Sequence, residues 1–429
     1  MPKETIVSLD IGSNKIAGMV AVVNNNSLEI EAAEHIEYEE KVVEKGRVVD
    51  IDRCTECIKT VLTELEQQVQ QALPFVNISI GGGFLRGWTV FNTLNLETTR
   101  RKITDVDIET LLKNIRNETD IPQTSHILDL CPQQYIIDGG TNVRKNPRGM
   151  FGSSITAIVH LCVVQDNPLK NIVECVRKAG SEIDKIYPHS WAAAEALLSE
   201  EEKEAGVLLI DMGKGTTDFL FYDGGNLYGT YSIMAGGEYV DFDIATLLGI
   251  SLETAGEIKK AYGWCNYEEL VSEDAPEIAQ QIELKAVGSG EKMLVSVGQI
   301  SKIVYDRISD TFEKISQQIQ NDVEKRYNIK GFPRLGAGVV LTGGSSLLKG
   351  ISICGEKVFG KRVRIAGPKN NNLVGIASSY QHPPFSTVVG ILLLRAKDIE
   401  REPRSQWLKQ FTDKKKKISE RLKFIWNKW

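Results

Sequence analysis

Two aspartates in this sequence stand where a carboxylate could do chemistry. Asp10 lies in TIVSLDIGSNKIAGMVAVVNNNSLEI, residues 5–30, and Asp211 in GVLLIDMGKGTTDFLFYDGGNLY, residues 206–228. Each ends a short, mainly apolar run, Ile6–Leu9 or Val207–Ile210, and each is followed by a turn that carries Gly12 or Gly213 and Gly215. A second apolar run, Ile16–Val23 or Phe219–Tyr222, leads to a hairpin signal, Asn24-Asn25-Asn26-Ser27 or Asp223-Gly224-Gly225-Asn226. The pattern predicts strand, tight turn, strand, hairpin turn, strand, twice over. Glycines let backbone approach a ligand closely, and successive N–H groups make an anion nest. Thr216 and Thr217 add hydroxyl donors. A carboxylate at a strand end beside such a nest is placed to hold magnesium through water. Two copies in register, each opening a half of the chain, indicate a duplicated domain. Facing each other, they would clamp a polyphosphate with magnesium between the two carboxylates. A third stretch, GVVLTGGSSLLKG (338–350), is an apolar strand running into a Gly-Gly turn and then a helix. That geometry suits a nucleoside lying against backbone near a helix N-terminus.

The elements that must position these turns follow from periodicity. A helix is expected from Asp52 to Ala72, with Cys57, Ile58, Val61, Leu62, Leu65 and Val69 on one face and Pro74 ending it. Val76–Ile80 is expected as a strand. Thr104 is expected to cap a helix over Asp105–Asn117. His126–Leu130, Tyr135–Asp138 and Ser154–Val164 read as strands around a glycine-rich turn, residues 145–152. Lys170–Ala179 and Ser190–Leu198 read as helices, with Glu200–Glu204 exposed at the end of the second. Tyr239–Leu248 and Leu252–Tyr262 read as helices. Val297–Tyr327 is a long amphipathic one, with Ile300, Ile303, Val304, Ile308, Phe312, Ile315 and Ile319 on one side.

Composition bounds the answer. The chain has 429 residues, 42% hydrophobic and 25% charged, enough for two or more domains with real cores. No run reaches the apolar length of a membrane span, and no signal segment is evident, so export is not expected. Seven scattered cysteines fit a reducing cytosol. Cys54 and Cys57 form a C-x-x-C inside a helical pattern with no second pair, which argues against zinc. The net charge is −6, yet Gln406–Trp429 holds eight Lys/Arg against two Asp/Glu, leaving +6 in that tail and −12 elsewhere. An acidic body argues against nucleic-acid binding.

In this order the three glycine-bearing stretches resemble the phosphate 1, phosphate 2 and adenosine motifs of the actin, heat-shock chaperone and sugar-kinase ATPase superfamily. "DLCPQQYIIDGG" followed by "KNPRGMFG" is similar to the insertion, subdomain 1C, of the bacterial division protein FtsA, with Asn146, Pro147, Gly149, Met150 and Gly152 matching. The resemblance implies an α/β, actin-like (RNase H-like) duplicated fold with a 1C (SHS2-like) insertion. Its parts would be subdomain 1A at 1–84 and 165–204, 1C at 85–164, 2A at 205–235 and 300–380, 2B at 236–299, a return to 1A at 381–396, a linker at 397–405 and a terminal helix at 406–429. It implies ATP and Mg2+ in the cleft. Asp10 and Asp211 would position the metal. Gly12, Ser13, Asn14, Gly213, Gly215, Thr216 and Thr217 would hold phosphates, with Lys15 beside them, and Gly343, Gly344 and Ser345 would line the nucleoside. Gly236 and Gly237 resemble the family's Gly-Gly turn, and Lys259 matches a nucleoside-contacting lysine. The family's neighbouring glutamate is Gly256 here, and Glu257 points about 100° away on a helix. Lys214 stands where glycine is common, Ser345 where a third glycine is, and Lys349 where proline is. Hydrolytic relatives carry Glu or Gln near Pro188-His189-Ser190; His189 reads as structural or surface, so weak or no ATPase activity is expected. The partners implied are the C-terminal peptide of the tubulin-like FtsZ, with Asp306, Arg307 and Asp310 as exposed contacts, further copies of this chain in a filament through 1C, and later division proteins.

The tail, QWLKQFTDKKKKISERLKFIWNKW, places Trp407, Phe411, Ile418, Leu422, Ile425 and Trp429 on one helical face, widened by Leu408 and Trp426. Lysines, among them Lys414, Lys415, Lys416 and Lys417, fill the other. Tryptophan at an apolar–polar border suits a lipid interface, and the whole is the pattern of a helix lying in a membrane surface. Each Lys or Arg near anionic lipid contributes about 1 kcal/mol, so binding becomes firm when several copies line up. The family resemblance adds that such tails tether FtsZ to the inner face of the cytoplasmic membrane at the division site. Two other readings share the core: a small-molecule kinase, which needs a catalytic carboxylate facing a substrate pocket, and a type IV pilus assembly protein. Neither is expected to carry this tail.

Overall fold

The computed structural model describes residues 4–24, 27–38, 40–96, 100–140, 143–144, 146–327, 334–368, 373–375 and 377–401. The first hairpin unit forms as its alternation requires. β1 (Glu4–Ile11), β2 (Lys15–Asn24) and β3 (Ser27–Glu37) pair antiparallel, with Asp10 opposite Ala17. Side chains alternate between faces. Val7, Leu9, Ile16 and Val20 therefore meet α1 (Ile51–Val69), whereas Ile6, Ala17 and Met19 meet a C-terminal helix on the other side. Asp50 caps α1 by accepting from Arg53 N at 2.9 Å. The helix stops at Val69, short of Ala72, because Gln70 turns left-handed (φ 54). β4 (Phe75–Ile80) then runs parallel to β1.

The insertion comprises β5 (Leu85–Asn95), α2 (Asp105–Glu118), β6 (Ser125–Ile137) and β7 (Ser154–Gln165). Thr104 caps α2 in a capping box with Asp107, whose carboxylate Arg101 also grips at 2.7 and 2.8 Å. The two strands expected at 126–130 and 135–138 are one strand, β6. It continues through Pro132 because shifts of register opposite β7, at Ile158/Val159 and Cys162/Val163, absorb the interruption. β7 leads to α3 (Asp166–Lys178), β8 (Glu182–Pro188) parallel to β4, and α4 (His189–Leu197). Glu200–Glu204 do not trail from α4. They belong to a separate helix, α5 (Glu200–Ala205), which a Ser199–Glu202 capping box restarts after an extended Leu198.

The second half repeats the first hairpin unit as β9 (Val207–Met212), β10 (Thr217–Asp223) and β11 (Asn226–Ile233), with Asp211 opposite Asp218. Helices α6 (Gly237–Leu248), α7 (Leu252–Tyr262) and α8 (Tyr267–Ser272) and the hairpin of β12 (Gln281–Lys285) and β13 (Lys292–Ser296) follow. α9 (Val297–Tyr327) has the bounds its periodicity predicts and buries Ile300, Val304, Ile308, Phe312, Ile315 and Ile319. β14 (Gly338–Thr342) runs parallel to β9 and is followed by α10 (Ile351–Phe359), β15 (Val363–Ile365) and α11 (Ser386–Arg401).

Two sheets result. One has the order β8-β4-β1-β2-β3 with Leu373–Val374 at its edge. The other runs Val143–Arg144, β6, β7, β5, β11, β10, β9, β14, β15. The insertion's strands thus extend the second half's sheet, meeting it where Gly87 lies opposite Thr230. A Cβ on Gly87 would stand 2.7 Å from His160 Nε2, so only glycine allows that junction. The chain is back on the first sheet by Leu373–Val374, ahead of residue 381. α11 continues through Arg401, so residues 397–401 of the expected linker are helical. The tail helix expected at 406–429 lies outside the described residues.

Candidate functional site

The turns that close the two hairpin units are built alike. Gly12 N donates to Lys15 O at 3.0 Å, and Gly213 N to Thr216 O at 2.9 Å. Among the described residues, no backbone carbonyl accepts from the amides of Ser13, Asn14, Lys214 or Gly215. Those N–H groups are left for an anion. The two turns abut, since a Cβ on Gly215 would stand 2.8 Å from Ser13 Oγ. The third stretch joins them: Ser345 Oγ donates to Gly213 O at 2.8 Å. Gly343, at φ 84, lies so close that a Cβ would meet Asp211 Oδ1 at 2.4 Å and Met212 O at 2.6 Å. The three glycine-bearing stretches therefore converge on one cleft. One expectation is corrected here. After Gly343 comes a single 3-10 turn, Gly344–Leu347, and α10 begins only at Ile351, so no α-helix N-terminus abuts the turn.

At the centre stands His189, for which the sequence suggests a structural or surface place. As the first residue of α4, it directs Nδ1 toward Asp10 Oδ1 at 3.5 Å and Nε2 toward Asp211 Oδ2 at 3.1 Å. Ser79 Oγ donates to Asp10 Oδ1 at 3.0 Å and Thr387 Oγ1 to Asp211 Oδ2 at 3.2 Å. Burial disfavours a charged imidazole, but Asp10, Asp211 and Asp218 together outweigh it and push its pKa up to about 10. His189 is thus an imidazolium that links the aspartates of the two halves. Asp218 is buried beside it and accepts from Gly82 N at 3.1 Å, fastening the loop after β4 to the second half. Burial raises the Asp218 carboxyl above its ordinary value. The hairpin alternation that sets Asp218 opposite Asp211 could have signalled it; no local pattern marked Ser79, and Thr387 stood out only within Ser386–Gly390, which resembles the family's second connecting segment.

Several residues do other work than expected. The Thr217 hydroxyl donates to Ala235 O at 2.6 Å and that of Thr216 to Asp218 Oδ2 at 3.2 Å. Both hydroxyls brace the cleft. Lys15 lies over the Phe385 ring at 3.6 Å; burial lowers its pKa against the pull of Asp10, Glu37 and Asp211. Lys259 is buried, donates to Gly237 O at 2.9 Å, and pairs with Asp241 at 2.7 Å. Gly236 and Gly237 leave no room for side chains, since their Cβ atoms would fall 2.5 Å from Lys214 O and 2.4 Å from Ser345 Oγ. Lys349 donates to Ala261 O at 3.1 Å, on the rim. Arg307 is not an exposed contact, because Asp243 of α6 holds its guanidinium, Nη2 to Oδ1 at 2.8 Å. Asp306 is exposed and pairs with Lys302, one helical turn away; Asp310 is half-buried and pairs with Lys314, one helical turn away, and with Arg307.

The donor set fits a magnesium–nucleotide complex. Two buried carboxylates face each other across paired turns with unused amides, and Gly343 leaves backbone open beside Asp211. Asp10 and Asp211 would hold magnesium through water, and the amides of Ser13, Asn14, Lys214 and Gly215 would hold phosphates.

Among solved structures, the PilM–PilN type IV pilus biogenesis complex matches with a TM-score of 0.61 at 15% identity, over 92% of this chain and 99% of that one. MreB5 of Spiroplasma citri bound to ADP matches at 0.51 and 15%, over 93% and 99%. The fold is actin-like. The family model for the SHS2 domain inserted in FTSA matches residues 89–163, and that for Cell division protein FtsA matches residues 208–390. The Cell division protein FtsA of Borreliella burgdorferi is 31% identical over 428 residues, covering 99% of this chain and 98% of that protein. Those of Neisseria meningitidis and Escherichia coli K12 are 29% and 27% identical over about nine-tenths of each chain. The chain belongs to the FtsA family of cell division proteins.

Proposed function

We propose that this protein binds ATP with magnesium between its two halves, polymerises on the inner face of the cytoplasmic membrane, and anchors FtsZ filaments there so that later division proteins can assemble. The observation that most supports this is the pairing of Asp10 with Asp211 on one imidazole, from two copies of the same hairpin. Bound magnesium would supply neutralising charge for the phosphates. Gly236, Gly237, Gly343, Gly344 and Ser345 would border the nucleoside. Bridging the halves with nucleotide would order the cleft and favour one subunit shape, which a filament needs. Slow or absent ATP hydrolysis goes with this reading, because His189 stands near the place where hydrolytic relatives carry Glu or Gln. The tail of Trp407, Phe411, Ile418, Leu422, Ile425, Trp426 and Trp429 with Lys414–Lys417 supplies the membrane contact. The exposed Asp306 and the half-buried Asp310 on α9 are the contacts offered to the FtsZ C-terminal peptide.

Co-sedimentation with anionic liposomes tests this, using the full chain and a chain stopped after Arg404, with and without ATP and magnesium. Pelleting of the full chain alone, strengthened by ATP, is the expected result. If both forms stay in solution at low salt, the membrane role is wrong.

A further inference from the structure

A small hairpin of the first half lies over the phosphate-facing turns. Val43–Glu44 pair antiparallel with Arg47–Val48. The two residues between them, Lys45 (φ 51) and Gly46 (φ 77), are both left-handed, as a tight two-residue hairpin loop favours. Val42, Val43 and Val48 are buried in the core of the first half, so the hairpin moves with that half. Its tip sits where the two turns abut. Gly46 N donates to Ser13 Oγ at 3.3 Å, and a Cβ on Gly215 would stand 2.9 Å from Lys45 N.

The lysines of this segment reach the second half. Lys41 Nζ lies 3.4 Å from Oε1 of Glu238, in the first turn of α6, whose side chain is only 9% exposed. Glu44, on the hairpin itself, orients the same ammonium from 3.6 Å. Lys41 Nζ also stands 5.6 Å from the centre of the Phe242 ring, and Lys45 Nζ 5.3 Å from that of Tyr239. Three residues of α6 therefore face cations carried on the first half. Between hairpin and turns is a cavity lined by Ser13, Lys41, Glu44, Lys214 and Glu238. Parting the two halves would separate Lys41 from Glu238 and Lys45 from Tyr239. We propose that the segment from Glu40 to Val48 is a latch between the halves, and that its contacts with Glu238 and Tyr239 set the rate at which bound nucleotide leaves. The apolar residues fix the latch to one half, and the two lysines close it on the other.

This inference rests on the nucleotide-binding reading, and one experiment separates the two. The full chain is loaded with a fluorescent N-methylanthraniloyl ATP in magnesium, and its release is followed after mixing with excess ATP. Wild type, Lys41→Glu, Glu238→Lys, the double charge swap and Tyr239→Leu are compared. A partly exposed ion pair corresponds to at most about fivefold, and reversing one charge replaces attraction by repulsion. Each single reversal should release the nucleotide at least about threefold faster, and the swap should return within about twofold of wild type. Glu238→Lys is the decisive arm, because added positive charge beside a polyphosphate would by itself slow release. Tyr239→Leu changes no charge and should speed release about twofold or more. Release from Glu238→Lys no faster than from wild type overturns the latch, as does a swap that stays fast. If Glu238→Lys does not fold, Tyr239→Leu decides, and an unchanged rate there overturns it. A wild-type chain that binds neither ATP nor the analogue overturns the nucleotide reading itself, and this inference with it.

Discussion

Replacing His189 by glutamine keeps a hydrogen-bonding side chain at the centre of the cleft and removes the charge. In the nucleotide-free protein with EDTA present, the imidazolium is the cation placed between Asp10 and Asp211, and its pKa rises from 6.5 to about 10. The folded value lies above the unfolded one. The linked stabilisation is therefore complete below pH 6.5 and is lost as pH rises toward about 10. Its full size is on the order of 5 kcal/mol, at 1.36 kcal/mol for each pH unit separating the two values. Between pH 7 and pH 9 the loss is about 2.5 kcal/mol.

Urea midpoints measured from pH 7 to pH 9 should fall more steeply for the wild type than for His189→Gln. Midpoints are the right comparison because two halves of one chain can unfold separately. Proton–nitrogen spectra of protein labelled only at its five histidines give the direct reading. One resonance, absent in His189→Gln, should keep its imidazolium shifts beyond pH 9. Parallel urea curves, or a His189 resonance that titrates near the ordinary histidine value, would refute the reasoning.

Gly343→Ala forces a left-handed φ of 84 on a residue with a Cβ and drives that atom into Asp211 Oδ1; ATP affinity by calorimetry should fall by tenfold or more, with a lower melting temperature. Phe312→Ala empties a fully buried site on α9 beside Phe359 and should cost about 3–5 kcal/mol in denaturant unfolding of the second half. In the insertion, hydrogen bonds from Arg101 hold the Asp107 carboxyl far below its ordinary 3.8. The stability this gives is present above that value and lost as pH falls below it, so acid unfolding of Asp107→Asn should show a shallower pH dependence than that of the wild type. Thr104→Ala breaks the capping box beside it and should lower stability by about 1 kcal/mol at neutral pH.

What was legible in the sequence was what is local. Each hairpin unit carries its own alternation and turn residues within about 25 positions, so Asp10 and Asp211 are both placed at strand ends by the residue pattern alone. α9 could be bounded because a 31-residue helix with one apolar stripe has no competing period. The strand expected as two pieces is one because β6 itself carries the extra residues, Leu128 and Gln133, that let it run through Pro132, and such bulges are set by pairing with β7 rather than by local pattern. The centre of the cleft was hidden for a different reason. Its ring joins Ser79 to Asp10, His189 to both aspartates, and Thr387 to Asp211 across 176 positions. No window sees such a set, and Ser and Thr at those places look like any polar residue. α11 shows the limit most clearly. Val388, Val389 and Leu392 pack on the first sheet. Periodicity says nothing of its ends. The first turn carries Thr387 into the cleft, and the last turns hold Asp398 against Tyr187 at 2.7 Å and Arg395 against Asp184 at 2.9 Å. The helix that leads to the basic tail is therefore also a wall of the cleft. Only the packed fold reveals that the helix preceding this tail in the sequence carries a cleft residue in its first turn.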